Sequence, residues 1–244
     1  MSRAQRSRFS NLRITRGALI VAGLELGLSL VFLVLDTDTQ VQVAPWLIAT
    51  PLTAYRLGHV WTLATSVFLE LHAINLVLHM LVLWMFVPTL ERFWGTARFY
   101  RFVAITSLVG TAVGCAVGLA LGGRHEYAPI SGLDPFIYAA IVAFGIVYAR
   151  QPVQFFGVLP LTGRQLMYGI LAFLALSIVL QGNWTGGAAF AAAMIAAALM
   201  TSKRWSPSLM WKRWRIARAR ARLTVMSGGK AKPATPRDEH KWLN

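Results

Sequence analysis

Residues 17–35 read GALIVAGLELGLSLVFLVL, an apolar run with one charge in it, Glu25. A helix rises about 1.5 Å per residue and the hydrocarbon layer of a bilayer is about 30 Å thick, so this run is long enough to cross. Comparable apolar runs follow at 71–87, 99–121, 135–149, 165–180 and 184–200. Lipid offers no hydrogen bonds to a backbone, so each crossing segment must pair its own N–H and C=O groups, which selects helices. The sequence therefore predicts an all-α, polytopic membrane protein with six transmembrane helices over residues 17–204. A composition of 56% hydrophobic residues excludes an ordinary soluble domain.

The flanks divide the rest. Residues 1–16 form a basic N-terminus with Arg3, Arg6, Arg8, Arg13 and Arg16 and no acid. No small-residue cleavage site follows 17–35, so the first helix is read as uncleaved. Residues 36–62, with Trp46, Trp61, Pro45 and Pro51 and few charges, read as a loop lying in the interface. Gly110, Gly114, Gly118 and Gly122 recur every four residues and line one helix face for close packing. Six spans with both termini cytoplasmic leave only Arg56 and Arg124, of 24 Lys and Arg, on the outer side. The net charge of +15 is thus explained by cytoplasmic flanks, and no nucleic-acid partner is expected.

Residues 205–226 read as a basic amphipathic tail helix on the cytoplasmic side. Trp211 and Trp214 would sit in the interface, with Arg213, Arg215, Arg218 and Arg220 toward anionic headgroups. Residues 227–244 are polar and rich in Gly, Lys and Pro, a composition that stays disordered unless a partner orders it. The single cysteine, Cys115, excludes an internal disulfide and a cysteine-based metal site; a small packing residue is the reading for it.

After the 71–87 helix, Glu91, Arg92 and Arg98 mark a return to water, and Asp134 and Pro135 read as the N-cap and first residue of the fourth helix. Ionisable groups inside apolar spans are costly and mark a functional interior. His72, Asn75 and His79 share one face of the 71–87 helix, and Glu25 lies mid-way along the first. Glu70, His72, His79, His125 and Glu126 are competent metal ligands, but their spacing matches no metal motif. No metal and no cofactor is assigned.

The stretch 61–100 resembles the rhomboid family of intramembrane serine proteases. The resemblance rests on Thr65-Ser66-Val67-Phe68-Leu69, on Pro88-Thr89-Leu90-Glu91 and on Gly95, and extends over residues 15–204. It implies a rhomboid-like six-helix bundle with the nucleophile at Ser131, before the fourth helix, and oxyanion donors at Asn75 and His79. The polar positions depart from the family. Thr62 and Glu70 stand for an arginine and a histidine, and Asn75 and His79 appear in reversed order. Pro129 replaces a glycine ahead of Ser131, and Trp184 occupies the place of the catalytic histidine. An indole has no acceptor for the serine proton.

The expectation is a rhomboid-like pseudoprotease in a bacterial inner membrane. It would bind transmembrane segments of client proteins or serve as a subunit of a membrane complex. The alternative is an active intramembrane serine endopeptidase in which His125 or His79 acts as the base for Ser131.

Overall fold

The computed structural model describes residues 14–150, 152–155, 159–202, 214–216 and 218. The chain divides into a unit over Met1–Ser206 and a second over Pro207–Asn244.

Among the described residues of the first unit, the regular secondary structure is helical apart from one short hairpin. Helix α1 spans Arg16–Val34. Its Thr15 N-cap makes no side-chain cap, and the N–H groups of Gly17 and Ala18 donate instead to Glu91, at 3.0 and 2.8 Å. Helix α2, Thr37–Leu47, is capped by Asp36, which accepts from the Thr39 N–H at 2.9 Å. The interfacial segment read as a loop thus contains a helix, followed by a single π-helical turn at Leu52–Arg56. Within it Trp46, His59 and Trp61 stack ring on ring, the neighbouring centroids 4.5 and 4.7 Å apart.

Helix α3, Thr62–Thr65, runs into a 3-10 turn at Ser66–Phe68, and the chain bends by 80° into α4, Ala73–Met85. Pro88 does not end the helical path. It sits in the first turn of a new helix, α5 (Val87–Trp94), where its missing N–H costs nothing. Helix α6 is Thr96–Leu121 and α7 is Asp134–Val147. Strands β1 (Pro152–Phe155) and β2 (Leu159–Thr162) pair antiparallel, Pro152 opposite Thr162, where the sequence suggested only a loop. Helix α8, Gly163–Gln181, starts on a capping box formed by Thr162 and Gln165; α9 is Trp184–Thr201, capped by Asn183.

Among the described residues, four helices, α1, α6, α8 and α9, are long and apolar enough to cross a membrane, and the bent α3–α4 pair makes a fifth if it is counted as one span. Helix α7 is shorter and almost wholly buried. The glycine period of α6 packs as read, and its partner is α9. A Cβ at Gly114 would lie 2.6 Å from the Ala189 Cβ and 3.0 Å from the Thr185 carbonyl; one at Gly110 would lie 3.2 Å from the Ala193 Cβ. The buried residues of α9 are Thr185, Gly186, Gly187, Ala189, Ala193 and Ala197. Helix α9 also packs closely against α7; Gly187 meets Ile178 of α8, and Ala191 is exposed.

In the second unit, Trp214, Arg215, Ile216 and Arg218 are helical and exposed, and the Arg218 guanidinium lies 3.5 Å above the Trp214 ring. Trp211, Arg213 and Arg220 lie outside the described residues.

Candidate functional site

Three elements bring ionisable side chains to one buried point. Helix α1 supplies Glu25, which is fully buried. The bend before α4 supplies Glu70, 2% exposed, and α4 itself supplies His79, 4% exposed. The first residue of α7 supplies Asp134, whose side chain is 30% exposed.

Each is placed by local structure. At the bend the helix is interrupted and its N–H groups need acceptors. Glu70 Oε1 accepts from the N–H groups of Leu71 and His72, at 3.0 and 3.1 Å, and from the Asn75 amide at 3.4 Å. Ser29 of α1 holds the bend down: its hydroxyl accepts from the Glu70 N–H at 2.9 Å and donates to the Phe68 carbonyl at 3.4 Å. The loop ahead of α7 is pinned on both sides of Ser131, by Ile130 N–H to the Ala49 carbonyl and Gly132 N–H to the Ser66 carbonyl, each at 2.8 Å. Gly132 has a φ of 73° and lies against the Glu70 carboxylate and His79, where any Cβ would collide.

The result centres on an imidazole held between carboxylates. His79 Nδ1 lies 2.6 Å from Glu25 Oε1 and Nε2 lies 3.0 Å from Asp134 Oδ1. Glu70 Oε2 faces Nδ1 at 4.0 Å, outside hydrogen-bond reach. A neutral imidazole has one N–H and can donate to only one of its two partners, so the arrangement requires a shared or additional proton, or a cation. Glu25 Oε1 also accepts from the Leu133 N–H at 3.3 Å, while Oε2 is buried without a partner. An orphaned carboxylate oxygen in an apolar interior is costly.

The residues singled out in the sequence separate here. Glu25, Glu70, Asn75 and His79 converge. Asn75 and His79 serve the carboxylates, with Asn75 donating to Glu70 and His79 lying between Glu25 and Asp134. Ser131 is half-buried in the pinned loop, three residues ahead of the start of α7. Asp134, expected as the cap of α7, is its first residue, the cap position being Leu133. Trp184 opens α9 and is 48% exposed, so it does not fill a closed cleft. His72 is the N-cap residue of α4, with a side chain 75% exposed and 3.6 Å from Glu70. His125 and Glu126 belong to the 3-10 turn Gly123–Tyr127, where Glu126 pairs with Arg56 at 3.1 Å.

Sequence reasoning missed two carboxylates. Asp134 was taken for a cap only. Glu91 was read as a return to water, yet it is 4% exposed and closes the start of α1. The unfilled first turn at Thr15, with no acidic side chain after it, was the signal available for Glu91.

A family model described as a eukaryotic integral membrane protein, DUF1751, matches residues 19–205. No curated protein matches the chain. The match overturns the resemblance to rhomboid proteases. Most of the residues that carried it are turn formers and apolar framework positions, which helical membrane proteins share for physical reasons, and apart from Ser131 the polar positions that define protease chemistry were those that differed. It also overturns the placement in a bacterial inner membrane, since the family is eukaryotic.

Proposed function

The chain belongs to the DUF1751 family of eukaryotic integral membrane proteins, and from that premise we propose that it acts by holding a transmembrane segment of another protein, as a client receptor or as a subunit of a membrane complex. The observation that carries this reading is an apolar cleft of about 380 Å³ between α1, the end of α2 and α3, lined among others by Leu28, Val31, Phe32, Ala64 and Phe68. A helix is about 10–12 Å across with its side chains, so the cleft takes side chains from one face of a partner helix and leaves its backbone outside. Leu28 and Val31 are 48% and 66% exposed and form its rim. Packing and close approach, in place of water exclusion, are what drive such contacts in lipid.

A photoreactive phenylalanine analogue at Val31 or Ala64 of the full-length protein in its own membrane tests the reading. Discrete protein adducts are expected; adducts to lipid alone overturn it. The basic tail adds attraction to anionic headgroups, supported by Arg215 and Arg218 beside Trp214 in an exposed helical segment. Trypsin should cut the tail more slowly in anionic proteoliposomes than in neutral ones, and salt should abolish the difference.

A further inference from the structure

We propose that Glu70, His79 and Asp134 hold a divalent transition-metal ion of the size of zinc, with Glu25 orienting the histidine. One ligand atom from each of the three lies within 4.8 Å of the others. Ligands 2.0–2.2 Å from a tetrahedral ion are roughly 3.3–3.6 Å apart. The 3.0 Å from His79 Nε2 to Asp134 Oδ1 opens to that separation by a few tenths of an ångström, and Glu70 Oε2 has a short swing inward.

Two carboxylate oxygens independently point to a cation-binding role. Glu25 Oε2 is buried with no partner. Glu70 directs all three of its hydrogen bonds to Oε1, leaving Oε2 aimed at the cluster on a residue 2% exposed. Among the described residues, no Arg or Lys forms an ion pair with Glu25, Glu70 or Asp134, so the three carboxylates meet only an imidazole, His79, at this point. Buried charge is tolerated when paired or metal-bound.

The roles follow from the ring. Nε2 and Asp134 Oδ1 face the ion, while Nδ1–H donates to Glu25 Oε1 at 2.6 Å. This is the carboxylate–histidine–metal arrangement that fixes the tautomer and raises ligand basicity. Imidazole and carboxylate together suit zinc, manganese or iron. Three protein ligands leave a fourth position, and Asp134, 30% exposed, lies on the accessible side. Gly132 keeps the Glu70 carboxylate free to move, because a side chain there would collide with it.

The test is metal analysis of the full-length protein, purified in mild detergent through a tag without histidines, stripped with chelator and reloaded with Zn²⁺ or Co²⁺. About one equivalent per chain is expected. Co²⁺ should give the visible absorption of a site containing nitrogen and oxygen ligands. His79→Gln and Asp134→Asn should each lower affinity at least about tenfold, and Glu25→Gln, which changes only the orienting contact, about 10–100-fold. His72→Gln should bind as the parent does, since His72 is outside the cluster. Every variant is first checked for a single symmetric peak in gel filtration; if His79→Gln fails that check, the partly exposed Asp134→Asn carries the decision. Less than about a tenth of an equivalent in the reloaded parent, or Co²⁺ binding by Asp134→Asn indistinguishable from the parent, overturns the proposal.

Discussion

Helix α1 meets a buried carboxylate twice, and the two are treated in opposite ways. At its start, Glu91 receives four donors. Oε1 accepts from the Gly17 N–H and, at 2.8 Å, from the Thr96 hydroxyl; Oε2 accepts from the Ala18 N–H and the Thr15 hydroxyl. At its middle, Glu25 receives His79 and one long backbone bond on a single oxygen. A carboxylate with both oxygens saturated has nothing left to bind and does structural work at a helix terminus, where negative charge also meets the positive end of the helix dipole. A carboxylate starved of donors on one oxygen in the same apolar surroundings is a different object, and the fold sets two further carboxylates, Glu70 and Asp134, around the same imidazole.

The largest effect should come from breaking the starved centre. His79→Leu leaves three carboxylates without their imidazole and should cost about 3–5 kcal/mol in an SDS-unfolding titration of the full-length protein; a cost below about 1 kcal/mol would mean the carboxylates do not depend on it. Glu91→Gln comes next. An amide cannot accept on both sides, so two donors face an N–H₂ group, and a loss of about 2 kcal/mol is expected in the same titration. Wild-type stability after that change would show that the cap is dispensable and erase the contrast.

Acid sharpens the comparison further. Burial pushes the Glu91 carboxyl up, but hydrogen bonds from Thr15, Thr96, Ala18 and Gly17 pull it down, and the net is below the ordinary carboxylate value. A group lowered on folding stabilises the fold above its unfolded pKa, and that contribution is lost as pH falls through the folded value. The stability gap between the parent and Glu91→Gln should therefore be constant near neutrality and close as pH falls below the ordinary carboxylate range. A gap that widens in acid contradicts the assigned hydrogen bonds. The smallest effect is Asn75→Ala. Its bond to Glu70 is long, 3.4 Å, and two backbone N–H groups remain on the same oxygen, so about 0.5 kcal/mol is expected. A cost several times larger would make Asn75 a full member of the cluster.

Much of this was legible in the chain and some was not, for reasons tied to particular residues. The apolar runs gave the helices within a few residues, because lipid leaves the backbone no other choice. Glu25 and His79 were conspicuous as ionisable groups inside spans, but they are 54 positions apart and nothing local announces that they touch. Asp134 was hidden by its own plausibility: an acid before a proline looks like a helix cap, and that local role obscured a contact made across the bundle. The glycine ladder of α6 identified a packing face correctly, but a stretch as uniformly small as residues 186–193 does not show which side of α9 meets it. The rhomboid resemblance failed because turn formers and apolar spacing are dictated by bilayer and backbone geometry, and so recur in membrane families that do different things.

Helix α7 has a consequence for biosynthesis. Fourteen residues make a cylinder of about 21 Å, too short to rest comfortably in a bilayer of about 30 Å by itself. It packs most closely against α9, which is made after it, and also against α8 and α6, with Phe136 set against Phe99 and Phe102 of α6. For the time needed to translate the hairpin, α8 and the start of α9, a growing chain carries a short segment with no seat and a glycine-lined face with no occupant. A nascent chain stopped before residue 184 is stranded in that state. Such a product offers the surveillance machinery of the membrane an unfilled helix face, so early translation stops should yield rapidly degraded fragments in place of stable shorter proteins.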